Sequence, residues 1–227
     1  TGYTPSEAQS NEICEVLLAH NGPIVVVIDD AYQGTVWEEG LMSRSLFWTL
    51  AERADHSKLL VFKVDGATKE LFFFPSRVGF LTHNATGEAA KALASKLKCV
   101  IRGSVGCPPG PSQAMVAHAL QHPDLDKETG ARLAVLKRRY RALKTALDKA
   151  GPSIRPYPFN SAYFCLVGFP DGVDADVVRH RLIDEMSLGT IYIPSINALR
   201  IAYCSIAEED AEELVRRLVS VASAAAA

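Results

Sequence analysis

The period of the apolar positions changes several times along the chain. Ile13, Val16 and Leu17 recur at helical spacing behind Thr4-Pro5-Ser6-Glu7. That string predicts a helix start, with Thr4 as cap, Pro5 at the first helical position and Glu7 closing a capping box. Asn21-Gly22-Pro23 stops it, and 24–28 is an unbroken β-branched run that predicts a buried strand. A second helix is predicted over about 41–53, further strands over 59–64 and 78–82, and a helix over 88–102. Cys107-Pro108-Pro109-Gly110-Pro111 breaks the pattern as a boundary or a sharply shaped loop.

Two helices follow, over 112–122 and 127–150. The second carries Leu133, Leu136, Tyr140, Leu143 and Leu147 on one face, with Lys and Arg between them. The tail alternates strand 163–167, helix 174–186, strand 199–203 and helix 208–222, and the closing alanines are expected to fray. Alternating strand and helix through residue 82 reads as parallel α/β, and the rest as a smaller α+β domain. The expected division is 1–122 for the first domain and 123–227 for the second, which opens with the long helix. No internal repeat is visible.

Composition removes several function classes. The chain has 227 residues, 48% apolar and 22% charged, with a formal net charge of −2. That balance gives no reason to expect nucleic acid or an anionic membrane as partner. No apolar run is long enough for a membrane span, and no secretory signal pattern is visible. The five cysteines are odd in number, scattered and without a C-x-x-C pair. A zinc site or disulfide framework is not expected, and a reducing cytoplasm fits best. The basic residues of 127–150 read as a solvated helix face.

Four features could carry chemistry. Asp29 and Tyr32 follow the first strand, where open α/β sheets place ligands. Lys69 follows the second strand in the turn Gly66-Ala67-Thr68-Lys69, and Arg77 stands eight residues on. Arg200 lies inside the apolar segment 198–202. Each also has a plain structural reading. Asp29 could cap a helix, Lys69 could be a surface lysine, and Arg77 could pair with a nearby carboxylate. A buried Arg200 needs an anion, which could be an internal acid or a ligand. Lys63 competes with Lys69, but only Lys69 has the arginine at that offset.

In combination these strings resemble the class I/II pyridoxal-phosphate-dependent aminotransferases of fold type I. Asp-Asp-Ala-Tyr-Gln-Gly (29–34) is similar to the family's Asp-x-Ala-Tyr segment. Thr68-Lys69 with Ser-Arg-Val-Gly-Phe (76–80) is similar to its lysine-and-arginine segment, and Leu-Arg-Ile-Ala-Tyr-Cys (199–204) to its carboxylate-binding segment. Thr1-Gly2 resembles the tail of the family's Asn-Pro-Thr-Gly motif. The resemblance covers the whole chain. It implies a partial three-layer α/β/α large domain plus a smaller α+β C-terminal domain. It also implies a Schiff base of pyridoxal 5'-phosphate on Lys69, with Lys69 moving a proton at the substrate α-carbon. Asp29 would face the pyridine nitrogen, Tyr32 the phenolic oxygen, and Arg77 and Thr68 the phosphate. Arg200 would clamp the substrate α-carboxylate. Arg102, six residues before the two prolines, resembles the arginine with which aspartate-type members read a distal carboxylate in the neighbouring subunit. The implied partners are an amino acid, a 2-oxo acid and a second copy of the chain.

Two departures stand out. Gly66 occupies a position where the family often has serine, and Ser104-Val105-Gly106-Cys107 departs from the usual string before the prolines. The family's amino-terminal half, with its phosphate loop and ring-stacking aromatic, is not represented, so that half is expected on another polypeptide or segment. The same residues also serve carbon–sulfur lyases of this fold type, and an inert fragment or binding module is the reading from another class.

Overall fold

The structure, a computed structural model, describes residues 2–55 and 57–225. Thr1 of the motif tail and the last two alanines lie outside the described residues. The chain forms two compact units. One comprises Pro5–Gly34 and Gly40–Thr129, and the other residues 2–4, 35–39 and 130–225.

In the first unit, helix α1 is Glu7–Leu18, strand β1 Ile24–Asp29, helix α2 Leu46–Arg53 and strand β2 Leu59–Gly66. The one-turn helix α3 (Ala67–Glu70) and a 3-10 turn (Phe74–Ser76) lead to strand β3 (Gly79–His83), helix α4 (Gly87–Ser104) and helix α5 (Gly110–Ala119). The start of α1 differs from expectation. Ser6 is the cap, its hydroxyl accepting from the Gln9 amide (3.2 Å) while the Gln9 side chain accepts from the Ser6 amide (2.9 Å). Glu7 instead accepts from the Ser43 amide and hydroxyl (both 3.0 Å). Helix α2 begins later than predicted because Leu41 bridges Ser6 and the Met42 amide donates to the Pro5 carbonyl, so Ser45 becomes the cap.

The sheet runs β1-β2-β3. β1 and β2 are parallel, with Asp29 level with Val64. β3 is antiparallel to β2, so the all-parallel expectation fails at this strand. A parallel return needs a crossover long enough to span the sheet, and the link here holds only α3 and the 3-10 turn. Helices α1 and α2 cover one face, where Cys14, Phe47, Leu50, Leu59 and Val61 form the core with Ile24, Val26 and Ile28 against it. The other face corrects the buried-strand expectation for β1: Val25 and Val27 remain 62% and 64% exposed. A continuous apolar run suits a strand covered on both sides, but among the described residues only one side is covered.

Helix α6 is Leu125–Asp148, and its residues from 130 onward belong to the second unit. There, β4 (Arg155–Pro156), β5 (Cys165–Gly168), β6 (Ile191–Ile193) and β7 (Ala198–Ile201) form an antiparallel sheet in the order β4-β5-β7-β6. Helix α7 (Ala175–Met186) is capped by Asp174, and α8 spans Ala211–Ala225. Leu136, Tyr140, Leu143 and Leu147 of α6 are buried at the predicted helical spacing. Residues 35–39 are stitched into this unit. The Trp37 indole N–H donates to the Tyr203 hydroxyl (2.8 Å) and to the Ala162 carbonyl (3.2 Å), and Val36 bridges Ser161. Gly2 is held the same way: its carbonyl accepts from the Asn160 and Ser161 amides, and a Cβ there would lie 2.3 Å from the Phe164 carbonyl oxygen.

Candidate active site

The alternation of side chains along a strand decides which of two adjacent aspartates can face a ligand. Asp29 is exposed on the open face of the sheet, and its Oδ1 accepts from the Ala31 amide (3.2 Å). Asp30 turns to the helix-covered side and is only 7% exposed. On that side the inward series Leu59, Val61 of β2 continues with Lys63, also 7% exposed. Lys63 contacts the Asp65 carboxylate and lies 3.7 Å from Asp30. The competing lysine is therefore enclosed by two carboxylates in the interior.

Lys69 sits on α3, beyond the carboxyl ends of the parallel pair β1 and β2. Its Nζ lies over the ring of Tyr32, 5.6 Å from the centroid. Thr68 precedes it in the same turn. Arg77 follows the 3-10 turn in the left-handed region (φ 51°, ψ 36°), and its guanidinium lies over Phe74, 5.6 Å from the centroid. Phe72 is left-handed too (φ 53°). Two non-glycine residues in this sparsely populated region within six positions hold the lysine-to-arginine segment in a set shape. Gly66 explains one departure from the resemblance. A Cβ there would meet the Val78 carbonyl oxygen at 3.0 Å, so the tight approach of β2 and β3 favours glycine over serine.

The unit thus brings Lys69 and Tyr32 together, with Asp29 at the same strand ends. Arg102 lies elsewhere in this unit, exposed in the last turn of α4, and makes no hydrogen bond or ion pair among the described residues. Arg200 belongs to the other unit, on β7. Its guanidinium lies over the Phe164 ring, 4.8 Å from the centroid, and its Nε is buried without a hydrogen-bond acceptor. No carboxylate pairs with it among the described residues, so the internal acid that the sequence left open is absent there. Arg200 also borders a cavity of about 330 Å³ with Leu182, Thr190 and Leu218.

Sequence reasoning missed that Asp30 and Asp65 enclose Lys63. The period-two series Leu59, Val61, Lys63 was the available signal, since it places a lysine inward. Among the described residues no group of three or more His, Cys, Asp or Glu could hold a metal ion, and no helix is long and apolar enough to cross a membrane.

A profile described as Aminotransferase class I and II matches residues 1–218. A comparison with curated proteins gives no match. Among solved structures, the chain is similar to the α-aminoadipate aminotransferase LysN of Thermus thermophilus (TM-score 0.77, 23% identity), covering 96% of this chain and 55% of that one. It is similar to a kynurenine aminotransferase of Pyrococcus horikoshii (TM-score 0.79, 17% identity; 99% and 53% covered). An aminotransferase from Mycobacterium tuberculosis gives a TM-score of 0.78 at 19% identity, with 99% and 55% covered. The chain spans about half the length of these solved relatives, and at such identities the likeness is one of fold.

Proposed function

The chain belongs to the class I and II aminotransferase family, and we propose that it carries the lysine-bearing part of a pyridoxal 5'-phosphate site that moves an amino group between an amino acid and a 2-oxo acid. The observation that carries this reading is the contrast between the two lysines. Lys63 is enclosed by Asp30 and Asp65, whereas Lys69 lies over Tyr32 at the ligand-binding end of the strands.

The donor set fits the cofactor group by group. An amine suits its aldehyde, a carboxylate its pyridine nitrogen, a phenol its ring oxygen, and a guanidinium with a hydroxyl its phosphate. Lys69 would hold the aldehyde carbon, Asp29 the ring nitrogen, Tyr32 the ring oxygen, and Arg77 and Thr68 the phosphate. When bound, the cofactor supplies an electron sink for charge developing at the substrate α-carbon. Lys69 Nζ takes and returns the α-proton. Arg200 accepts the substrate α-carboxylate as a two-pronged donor, which would satisfy the orphaned Nε side of its guanidinium. Arg102, exposed in the last turn of α4, would read a distal carboxylate in a neighbouring copy.

The remaining contacts to the cofactor come from polypeptide beyond these 227 residues. The uncovered apolar face at Val25 and Val27 supports this, since such a face is ordinarily covered. A cytoplasmic homodimer is the expected assembly. Exposed Val100, Ile101 and Val105 on and after α4 supply apolar surface for it.

Borohydride trapping tests the reading. Pyridoxal phosphate incubated with the protein and reduced should leave a pyridoxyl group on the Lys69 peptide, and none in Lys69→Ala. A label on Lys63, or no label, refutes it. Amino transfer that depends on an added 2-oxo acid separates transamination from lyase chemistry.

A further inference from the structure

The cavity beside Arg200 has hydrogen-bonding capacity that its own fold does not use. It holds about 330 Å³, and its wall runs from Leu182 to Leu218, all within the second unit. That size is at the lower end of small-molecule pockets, about 300–1,000 Å³. Most of the wall is aliphatic: Leu182 of α7, Leu188 beyond it, Ile206, and Leu214 and Leu218 of α8. Among the described residues, Arg200 is the only charged residue in the wall, and no aromatic residue joins it.

Two residues of this wall each hold a buried polar atom without a hydrogen-bond partner: Arg200 at Nε and Thr190 at Oγ1. They are neighbours in the fold. Arg200 is level with Ile191 in the β6–β7 pair, and Thr190 immediately precedes Ile191. The Phe164 ring holds the face of the guanidinium, 4.8 Å from its carbon, so the N–H edge remains for a ligand. Buried polar groups are nearly always paired, so two orphaned donors at one cavity point to an acceptor from outside.

We propose that this cavity binds a small aliphatic monocarboxylate, its carboxylate taken by Arg200 Nε–H and the Thr190 hydroxyl and its alkyl chain laid among the leucines. A carboxylate has two oxygens and can accept from both donors at once. One negative charge answers the one positive charge of the wall. A second carboxylate would be buried among leucines with no cation, which is strongly unfavourable. Alkyl surface gains by leaving water for the same wall. This ligand class rests on the reading of Arg200 as the residue that takes the substrate carboxylate. On that reading the amino acid exchanged here carries an alkyl side chain, and Thr190 is a further substrate-binding residue. Amino transfer uses two substrates in turn, which leaves Arg102 to a dicarboxylic one.

Calorimetric titration of the chain without cofactor tests the site, with 4-methylpentanoate as probe and succinate and 4-methylpentanamide as controls. The probe should bind at least about tenfold more tightly than either control. Thr190→Val keeps the shape and removes the hydroxyl, so binding should weaken about tenfold, as for one lost hydrogen bond to a charged group. Thr190→Ser should keep the parent affinity, and Arg200→Gln should abolish binding. Without ligand, Thr190→Val should melt no lower than the parent, because an orphaned hydroxyl adds nothing to the fold. Equal binding of succinate or the amide overturns the monocarboxylate assignment. Unchanged binding by Thr190→Val, or a lower melt, overturns the role of Thr190, the second result because the hydroxyl is then paired within the fold. No binding by the parent overturns the site, while the assignment of Lys69 stands or falls by borohydride trapping alone.

Discussion

Asp29 and Asp30 are neighbours in sequence with opposite surroundings, and replacing each with alanine should give opposite results. Asp29 is exposed and makes one hydrogen bond, to the Ala31 amide two residues on. Its loss should change stability by about 0.5 kcal/mol, the usual range for a surface substitution. Asp30 is 7% exposed and faces buried Lys63. Breaking a buried ion pair by removing one partner costs about 3–5 kcal/mol, and because Asp65 still holds Lys63 the lower end, about 3 kcal/mol, is expected here. Urea unfolding can be followed by the fluorescence of Trp48, which lies on α2 in the same unit. Cofactor attachment should respond in the reverse order: Asp29→Ala should weaken it severely and leave the midpoint near that of the parent. A loss of about 2 kcal/mol or more in Asp29→Ala, or under about 0.5 kcal/mol in Asp30→Ala, would refute the register argument.

Three further outcomes follow from the geometry. Tyr203 is fully buried and its hydroxyl links the Trp37 indole (2.8 Å) to the Ser161 carbonyl (2.9 Å), so Tyr203→Phe should cost about 1–3 kcal/mol in a chemical melt read by Trp37 fluorescence. Gly66→Ser, which restores the residue common in the family, should lower stability by about 1–3 kcal/mol because its Cβ crowds the Val78 carbonyl; an unchanged melting temperature would show that β3 yields freely. Hydrogen bonds from Lys144 and then Tyr140 hold the Glu38 carboxyl below its ordinary range. Its contribution is therefore present above the unfolded value and lost as pH falls through the folded one, so acid melts should show a steeper loss in the parent than in Glu38→Gln.

Much of the order of elements was legible because apolar period reports local structure directly. The strand ahead of Asp29, the strand ahead of Lys69 and the buried face of α6 all follow from spacing. What escaped depends on partners distant in sequence. Thr4 has the chemistry of a cap, but its amide donates to the Asn160 side chain (2.7 Å) and its carbonyl accepts from it (2.9 Å), so Ser6 takes the role. The direction of β3 depends on the length of its link to β2, which apolar period does not measure. Lys69 becomes a candidate only through combination with Arg77, Asp29, Tyr32 and Arg200. Its contrast with Lys63 needed the pleat of β2, which sends Lys63 inward.

Arg200 shows how the same reasoning extends to the second unit. An arginine between apolar residues must meet an anion, remain partly hydrated, or accept an orphaned donor. Here the guanidinium lies over Phe164, and a cation–π contact contributes about 0.5–2 kcal/mol. That attraction acts on charge and supplies no acceptor for the buried Nε–H. An internal carboxylate would have cancelled the need, as Asp30 and Asp65 do for Lys63, but among the described residues none pairs with Arg200. Lys63 and Arg200 thus differ in kind. Lys63 is ion-paired within its own fold, and Arg200 retains hydrogen-bonding capacity that a carboxylate from outside can fill.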